Sequence, residues 1–198
     1  MQLNLNMKEI CKISIAEVRK RLIVPREAVR VDEKHESHYR LLIWLGHQYE
    51  NETLLDIGTR RGTSAVCLAD NTANKVITFD IIAESKGYQH KDLFVHCPNV
   101  EFRQKGVGDI EDALLLLSPL IFLDIDHSGK HEDGFLTHLK KIGYDGFVFM
   151  DDVNFDRKFK GLRLMFEKHN GILLPRPISH DTGTGVVVFG ENSINVRE

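Results

Sequence analysis

The chain has 198 residues, 42% of them hydrophobic and 28% charged, the make-up of one globular domain with a sizeable core. Its formal net charge is −3, which argues against bulk attraction to nucleic acid or to an anionic membrane. The longest apolar runs, 113–123 and 185–190, are too short to span a bilayer.

Residues 1–34 are polar and mixed in period, and "SIAEVRKRLIV" reads as a short helix. "ESHYRLLIWLGHQYEN" carries apolar residues at helical spacing and predicts a helix over about 36–50, with Trp44 in its core face. "ETLLDIG" is an apolar run stopped by Gly58 and reads as a strand, and "TSAVCLADN" reads as the helix that follows it. "KVITFDI" and the weaker "VEFRQKG" are the next strands, and "DIEDALLLL" is helical. "LIFLDID", "KHEDGFLTHLKKIG" and "GFVFMDD" predict strand, helix and strand. "FKGLRLMFEKHN" is a helix with a core face, and "GILLPRPIS" and "TGVVVFGEN" are strands placed to pair antiparallel.

Strands alternating with helices predict an α/β fold: a seven-stranded, mostly parallel sheet covered by helices on both faces, with an antiparallel pair at its C-terminal end. Ligands of such sheets bind beyond the carboxyl ends of the strands. Asp56, Asp80, Asp124 and Asp151 each end a predicted strand. The topology therefore gathers these acids along one edge, in one cleft.

"LLDIGTRRGTSA" sets Gly58 and Gly62 in a strand-to-helix turn, where glycine permits tight backbone and close ligand approach. Its spacing is G-x-x-x-G, not the G-x-G-x-x-G of dinucleotide sites. An acid beside the turn suits a cationic amino-acid moiety better than a pyrophosphate, and Asp80 is placed to take both hydroxyls of a ribose. The bland alternative is an ordinary strand-to-helix turn. With Asp80 and the terminal strand pair added, the sequence resembles the class I S-adenosylmethionine-dependent methyltransferases over roughly residues 36–190. That resemblance implies S-adenosylmethionine contacts from Asp56, Gly58, Gly62, Thr63, Ser64, Asp80, Ile81 and Asp109.

Within that superfamily, "FLDIDHSGKHEDGF" and "GFVFMDDVN" resemble the cation-dependent O-methyltransferases of the catechol, caffeoyl-coenzyme A and macrolide-sugar types. The Asp-Asp pair and the D-x-D-H string are nearer to the sugar-modifying and cephalosporin-hydroxylase-like relatives. The resemblance implies a divalent metal on Asp124, Asp151 and Asp152. Physical chemistry points the same way. Neighbouring carboxylates repel, a hard cation removes the penalty, and oxygen ligands suit Mg²⁺, Mn²⁺ or Ca²⁺. Asp126 reads equally as a ligand or as a helix cap and support.

His127, three residues after Asp124, reads as a general base on a substrate hydroxyl, the alternative being a loop histidine bonded to a carbonyl. Asp124 is the other catalytic candidate. Lys130 and His131 are fallback bases. His180 and Asp181 sit in the loop joining the last two strands and are substrate-contact candidates with Lys130.

The expected activity is methyl transfer to a hydroxyl of a sugar or other vicinal diol, the partner being a small-molecule or glycan acceptor, with no nucleic acid and no membrane. Residues 1–35 are expected to form a lid, an acceptor contact or a homo-oligomer contact outside a methyltransferase domain of 36–198, with the basic stretch 17–30 a solvated face. The N-terminus lacks the apolar core of a signal peptide. Cys11, Cys67 and Cys97 are odd in number and without metal spacing, so a reducing, cytoplasmic location is expected. A nicotinamide-dependent oxidoreductase would leave Asp151–Asp152 unexplained and lacks the glycine triplet. A non-catalytic binding module is the remaining alternative.

Overall fold

The computed structural model describes residues 1–21, 36–85, 88–154 and 160–197. The sheet is built from β2 (Thr53–Ile57), β3 (Lys75–Asp80), β6 (Val100–Gln104), β7 (Leu120–Leu123), β8 (Phe147–Met150), β9 (Ile172–Leu173) and β10 (Gly185–Val188). Their order is β6-β3-β2-β7-β8-β10-β9. β10 runs antiparallel to both β8 and β9, while β6, β3, β2, β7 and β8 are parallel. The expected seven-stranded sheet and its antiparallel C-terminal pair are both present.

Every residue of β7 and β8 is buried, as strands covered on both faces require. Side-chain alternation splits the sheet residues between two cores. Leu54, Phe122, Phe147 and Phe149 pack on one face, and Leu55, Ile57, Ile121 and Val148 on the other. The first face is covered by α3 (Glu36–Gly46) and α4 (Thr63–Leu68). These helices cross so closely that a Cβ on Gly46 would lie 2.3 Å from the Leu68 carbonyl oxygen. The second face is covered by α5 (Asp112–Leu117), α6 (Lys130–Ile142) and α7 (Lys160–Lys168) through Leu115, Phe135, Leu136, Leu139, Leu162 and Phe166.

The N-terminal residues add two features that a reading of mixed periodicity misses. β1 (Gln2–Asn6) pairs in parallel with β11 (Ser193–Arg197), so Leu3 and Leu5 are buried while their neighbours face out. Asn6 then caps α1 (Met7–Lys12), its side chain accepting from the Lys8 and Glu9 amides. Ile10, Ile15 and Val18 join the core under α3, the last from α2 (Ala16–Arg21). Most of the basic stretch 17–30 lies outside the described residues. A small hairpin of β4 (Glu84–Ser85) and β5 (Tyr88–Gln89) follows β3. Among the described residues no helix is long and apolar enough to cross a membrane.

Candidate active site

The carboxyl ends of β3, β2, β7 and β8 meet at one edge. Backbone bonds continue the ladder past the strand ends: Gly58 and Thr59 donate to the Phe79 carbonyl, Asp124 to Ile57 and Asp151 to Leu123. Two clefts open there. The larger, about 720 Å³, lies over β2, β3 and the segment after β6, and is floored by Ile57 and Phe79 with Asp80, Ile81 and Val107 on its walls. The smaller, about 260 Å³, lies between α3, the glycine turn and β7–β8, and is lined by His38, Tyr39, Thr63, Asp124, Asp151 and Asp152. Gly58, Arg60 and Asp124 line both.

The glycine turn is fixed by its backbone. Gly58 (φ 109°) and Gly62 (φ 75°) occupy the left-handed region. A Cβ on Gly58 would lie 1.8 Å from the Asp124 carbonyl oxygen, and one on Gly62 would lie 2.8 Å from the Phe94 ring. The tight turn expected at these positions is present. At both positions the missing side chain makes room: for the Asp124 carbonyl at Gly58, which also lines both clefts, and for the Phe94 ring at Gly62. Gly62 precedes α4, whose first residues Thr63 and Ser64 line the smaller cleft.

Asp56 lies beneath this turn and lines neither cleft. It is fully buried, and Thr78 Oγ1 donates to its Oδ2 at 2.5 Å. Burial raises its carboxyl to about 6, opposed by hydrogen bonds from Thr78 and Ser64. Asp80 accepts from the Arg60 amide at 2.9 Å and from the Ile82 amide at 3.1 Å, which ties the glycine turn to the loop after β3. Ile81 is 72% exposed on the wall of the larger cleft. Asp109 lies outside both linings, its Oδ2 against Gly106.

Asp124, Asp151 and Asp152 share the smaller cleft. Adjacent residues in extended chain point to opposite sides, yet Asp151 and Asp152 face the same space. Asp152 has φ 56°, and that left-handed residue breaks the alternation. Burial, then Asp151 and Asp152, push the Asp124 carboxyl well above the usual carboxylate range. Burial would raise Asp151 too, but His38 and His180 outweigh it and hold this carboxyl low.

His127 is also left-handed (φ 56°). Its Nε2 lies 3.3 Å from Asp124 Oδ1 and 3.5 Å from Asp152 Oδ2, and the residue lines the larger cleft. The imidazole thus stands where the two clefts meet. Asp126 lines the larger cleft and organises the start of α6: it accepts from the Ser128 amide and hydroxyl, and His131 Nδ1 lies 2.8 Å from its Oδ2. Its geometry is that of support. Lys130 is exposed at the start of α6 and lines neither cleft, whereas His131 lines the larger one.

His180 is buried, with its Nε2 hydrogen-bonded to Asp151 Oδ1. It faces Asp151 instead of the open cleft. Asp181 is 68% exposed, pairs with Arg176 at 2.8 Å and lies outside the lining. Thr182 joins the group through hydrogen bonds to Asp152 Oδ1 and, at 2.8 Å, to His180 Nδ1.

Two cleft residues escaped the sequence reading. His38 is buried on α3 and lines the smaller cleft, and beside it burial pushes the Tyr39 phenol up while its hydroxyl reaches Thr63. The signal was present: His38 stands at i, i+3, i+4, i+7 with Leu41, Leu42 and Leu45, a polar residue on the apolar stripe. Among the described residues, the set of three metal-ligating side chains whose ligand atoms all lie within 4.8 Å of one another is His38, Asp151 and His180.

No family profile matches the chain, and no curated protein matches its sequence. Its fold does match solved structures. A candidate caffeoyl-CoA O-methyltransferase from Staphylococcus aureus superposes with TM-score 0.55 at 18% identity, covering 89% of each chain. An SAH-bound methyltransferase from Podospora anserina gives 0.57 at 15% identity, covering 89% of this chain and 93% of that one. A cofactor-bound protein from MTB gives 0.56 at 16% identity, over 88% and 87%.

Proposed function

From the class I S-adenosylmethionine-dependent methyltransferase fold, we propose that this chain is an O-methyltransferase that requires a divalent cation and acts on a hydroxyl of a small acceptor, a sugar or other vicinal diol. The observation that carries the reading is the junction of the clefts: His127 Nε2 stands between Asp124 and Asp152, at the point where the cleft beside Asp80 opens into the cleft of the three acids. In this reading the larger cleft takes the adenosine, with Asp80 on the ribose and Ile57, Phe79 and Ile81 against the base. The methionine portion extends past Gly58 toward Thr63 and Ser64.

S-Adenosylmethionine supplies the electrophilic methyl carbon. Asp151, with Asp124 and Asp152, would hold a divalent cation, which would supply charge that favours the deprotonated acceptor oxygen. The acids fit such an ion: Asp124 shares one cleft with Asp151 and Asp152, and its carboxyl is pushed up first by its partial burial and then by those two acids. Neutral His127 takes the acceptor proton at Nε2, and Asp124 and Asp152, 3.3 and 3.5 Å away, stabilise the imidazolium that forms. The walls of α3 and the glycine turn orient the acceptor and exclude water, so much of the rate comes from positioning.

Calorimetry tests the cofactor: S-adenosylmethionine and its demethylated product bind, and NAD does not. Turnover on a panel of glycosides and catechols then disappears with a chelator and returns with Mg²⁺ or Mn²⁺. NAD binding without S-adenosylmethionine binding overturns the reading, and full activity in chelator removes the cation from it.

A further inference from the structure

Outside the acids that the sequence singles out, two buried imidazoles stand at the smaller cleft, His38 in its lining and His180 behind Asp151. His38 comes from α3, Asp151 from the end of β8 and His180 from the loop before β10. They are 4%, 8% and 5% exposed. The two rings lie 4.8 Å apart, centroid to centroid, inclined at 56°, and one ligand atom from each of the three residues falls within a common 4.8 Å. One histidine suffices to compensate one carboxylate. Two, drawn from elements far apart in the chain and converging on the same carboxylate at a cleft wall, form a set of donors.

Resting on the methyltransferase reading above, we infer that His38 and His180 join Asp151 as ligands of the cation, making this a mixed nitrogen–oxygen centre for a transition metal such as Mn²⁺, Fe²⁺, Co²⁺ or Zn²⁺. Mg²⁺ and Ca²⁺ prefer oxygen donors, whereas imidazole suits the later divalent ions. The smaller cleft reaches His38 and Asp151, so the open side of the centre faces the space assigned to the acceptor. Three protein ligands leave positions there for two vicinal oxygens.

The group behind the centre matches this role. A ligating histidine ordinarily gives its second nitrogen a partner that fixes ring orientation. His180 Nδ1 has Thr182: the hydroxyl lies 2.8 Å away and the backbone N–H 3.3 Å away. The same hydroxyl bonds Asp152 Oδ1. A hydroxyl both donates and accepts, so Thr182 serves either tautomer of the ring. When the cation takes the Nε2 lone pair, the ring's one proton passes by exchange with solvent from Nε2, where it is shared with Asp151, to Nδ1, which then donates to Thr182 Oγ1.

The test uses the full chain stripped with chelator and titrated with Mn²⁺, with pulsed electron paramagnetic resonance reading the nitrogen couplings. Two directly coordinated imidazole nitrogens are expected. His38→Asn and His180→Asn each remove one coupling, with thermal melts confirming that the variants fold. Thr182→Val, which keeps both imidazoles, weakens Mn²⁺ about 10–100-fold, the usual cost of losing an outer partner. Mn²⁺ binds wild type at least about 10-fold more tightly than Mg²⁺. Bound Mn²⁺ without nitrogen coupling overturns the inference and leaves the cation-dependent reading intact. If no Mn²⁺ binds, both lose their metal, while calorimetry with S-adenosylmethionine still reports separately on the cofactor site.

Discussion

The two clefts share an edge and three residues, yet they are built in opposite ways. The larger is mainly apolar, floored by Ile57 and Phe79 with Ile81, Val107 and Ile125, which β2, β3, the segment after β6 and the loop after β7 contribute. The smaller is lined mostly by polar side chains that α3, the glycine turn and the ends of β7 and β8 bring in from positions as far apart as 38 and 152, with His180 behind Asp151. An apolar cleft suits the adenosine of a cofactor. A cleft of acids, with His127 at its junction with the first, suits chemistry on that cofactor. If this division holds, changes in one cleft spare the function of the other.

The sharpest separation comes from His127→Ala. It should retain S-adenosylmethionine affinity by calorimetry and lose about 10²–10⁴-fold in kcat, the range for a positioned acid–base group. Near-wild-type turnover would remove the base from the junction of the clefts.

Gly58→Ala tests the shared wall. A Cβ 1.8 Å from the Asp124 carbonyl oxygen, on a residue at φ 109°, forces β2 and β7 apart at their ends. A loss of about 3 kcal/mol or more in urea unfolding is expected, with both clefts damaged. Gly62→Ala meets the Phe94 side chain at 2.8 Å, which yields more readily, so it should cost roughly 1–3 kcal/mol. Equal losses in the two variants would break the distinction between a strand wall and a side-chain neighbour.

Asp80→Ala belongs to the larger cleft alone. It should weaken S-adenosylmethionine by roughly 2–3 kcal/mol, the order of a pair of charge-assisted hydrogen bonds, with Mn²⁺ affinity unchanged. Unaltered cofactor affinity in a folded variant would rule out the ribose placement.

The smallest effect is a pH slope from the group beneath both clefts. Burial raises Asp56 to about 6, so the folded chain binds its proton more tightly than the unfolded chain does. This group's favourable contribution is therefore lost as pH rises from about 4 through about 6. Wild type should lose on the order of 2 kcal/mol relative to Asp56→Asn between pH 4.5 and 7.5, measured by parallel urea titrations. A slope of opposite sign would mean that Asp56 is ionised and paired in the folded chain.

These expectations also mark how far the chain could be read without its fold. Short continuous apolar runs stopped by glycine or acids and amphipathic runs of period 3.6 locate the seven strands and the helices between them, because both patterns are local properties of the chain. The short N-terminal strand was missed: "QLNLN" has only Leu3 and Leu5 as a pattern, and its partner β11 lies at the other end of the chain. Asp124, Asp151 and Asp152 were legible because each interrupts an apolar run at a strand end. Asp126 was legible only as an acid, since its bonds to Ser128 and His131 depend on the turn into α6.

By itself, then, the sequence determined the order of strands and helices, the glycine turn and the row of acids at the strand ends, all of which follow from contacts between near neighbours and from periodicity. Tertiary structure alone decided that Asp56 supports the turn from below, that Gly62 makes room for Phe94, and that Asp181 leaves the cleft while His180 turns inward. It also decided that His38, on what reads as a core helix, meets Asp151 and His180. The physical reason is distance along the chain: burial and the pairing of charges depend on which elements pack together, and a side chain's partner across 142 residues has no trace in its own neighbourhood.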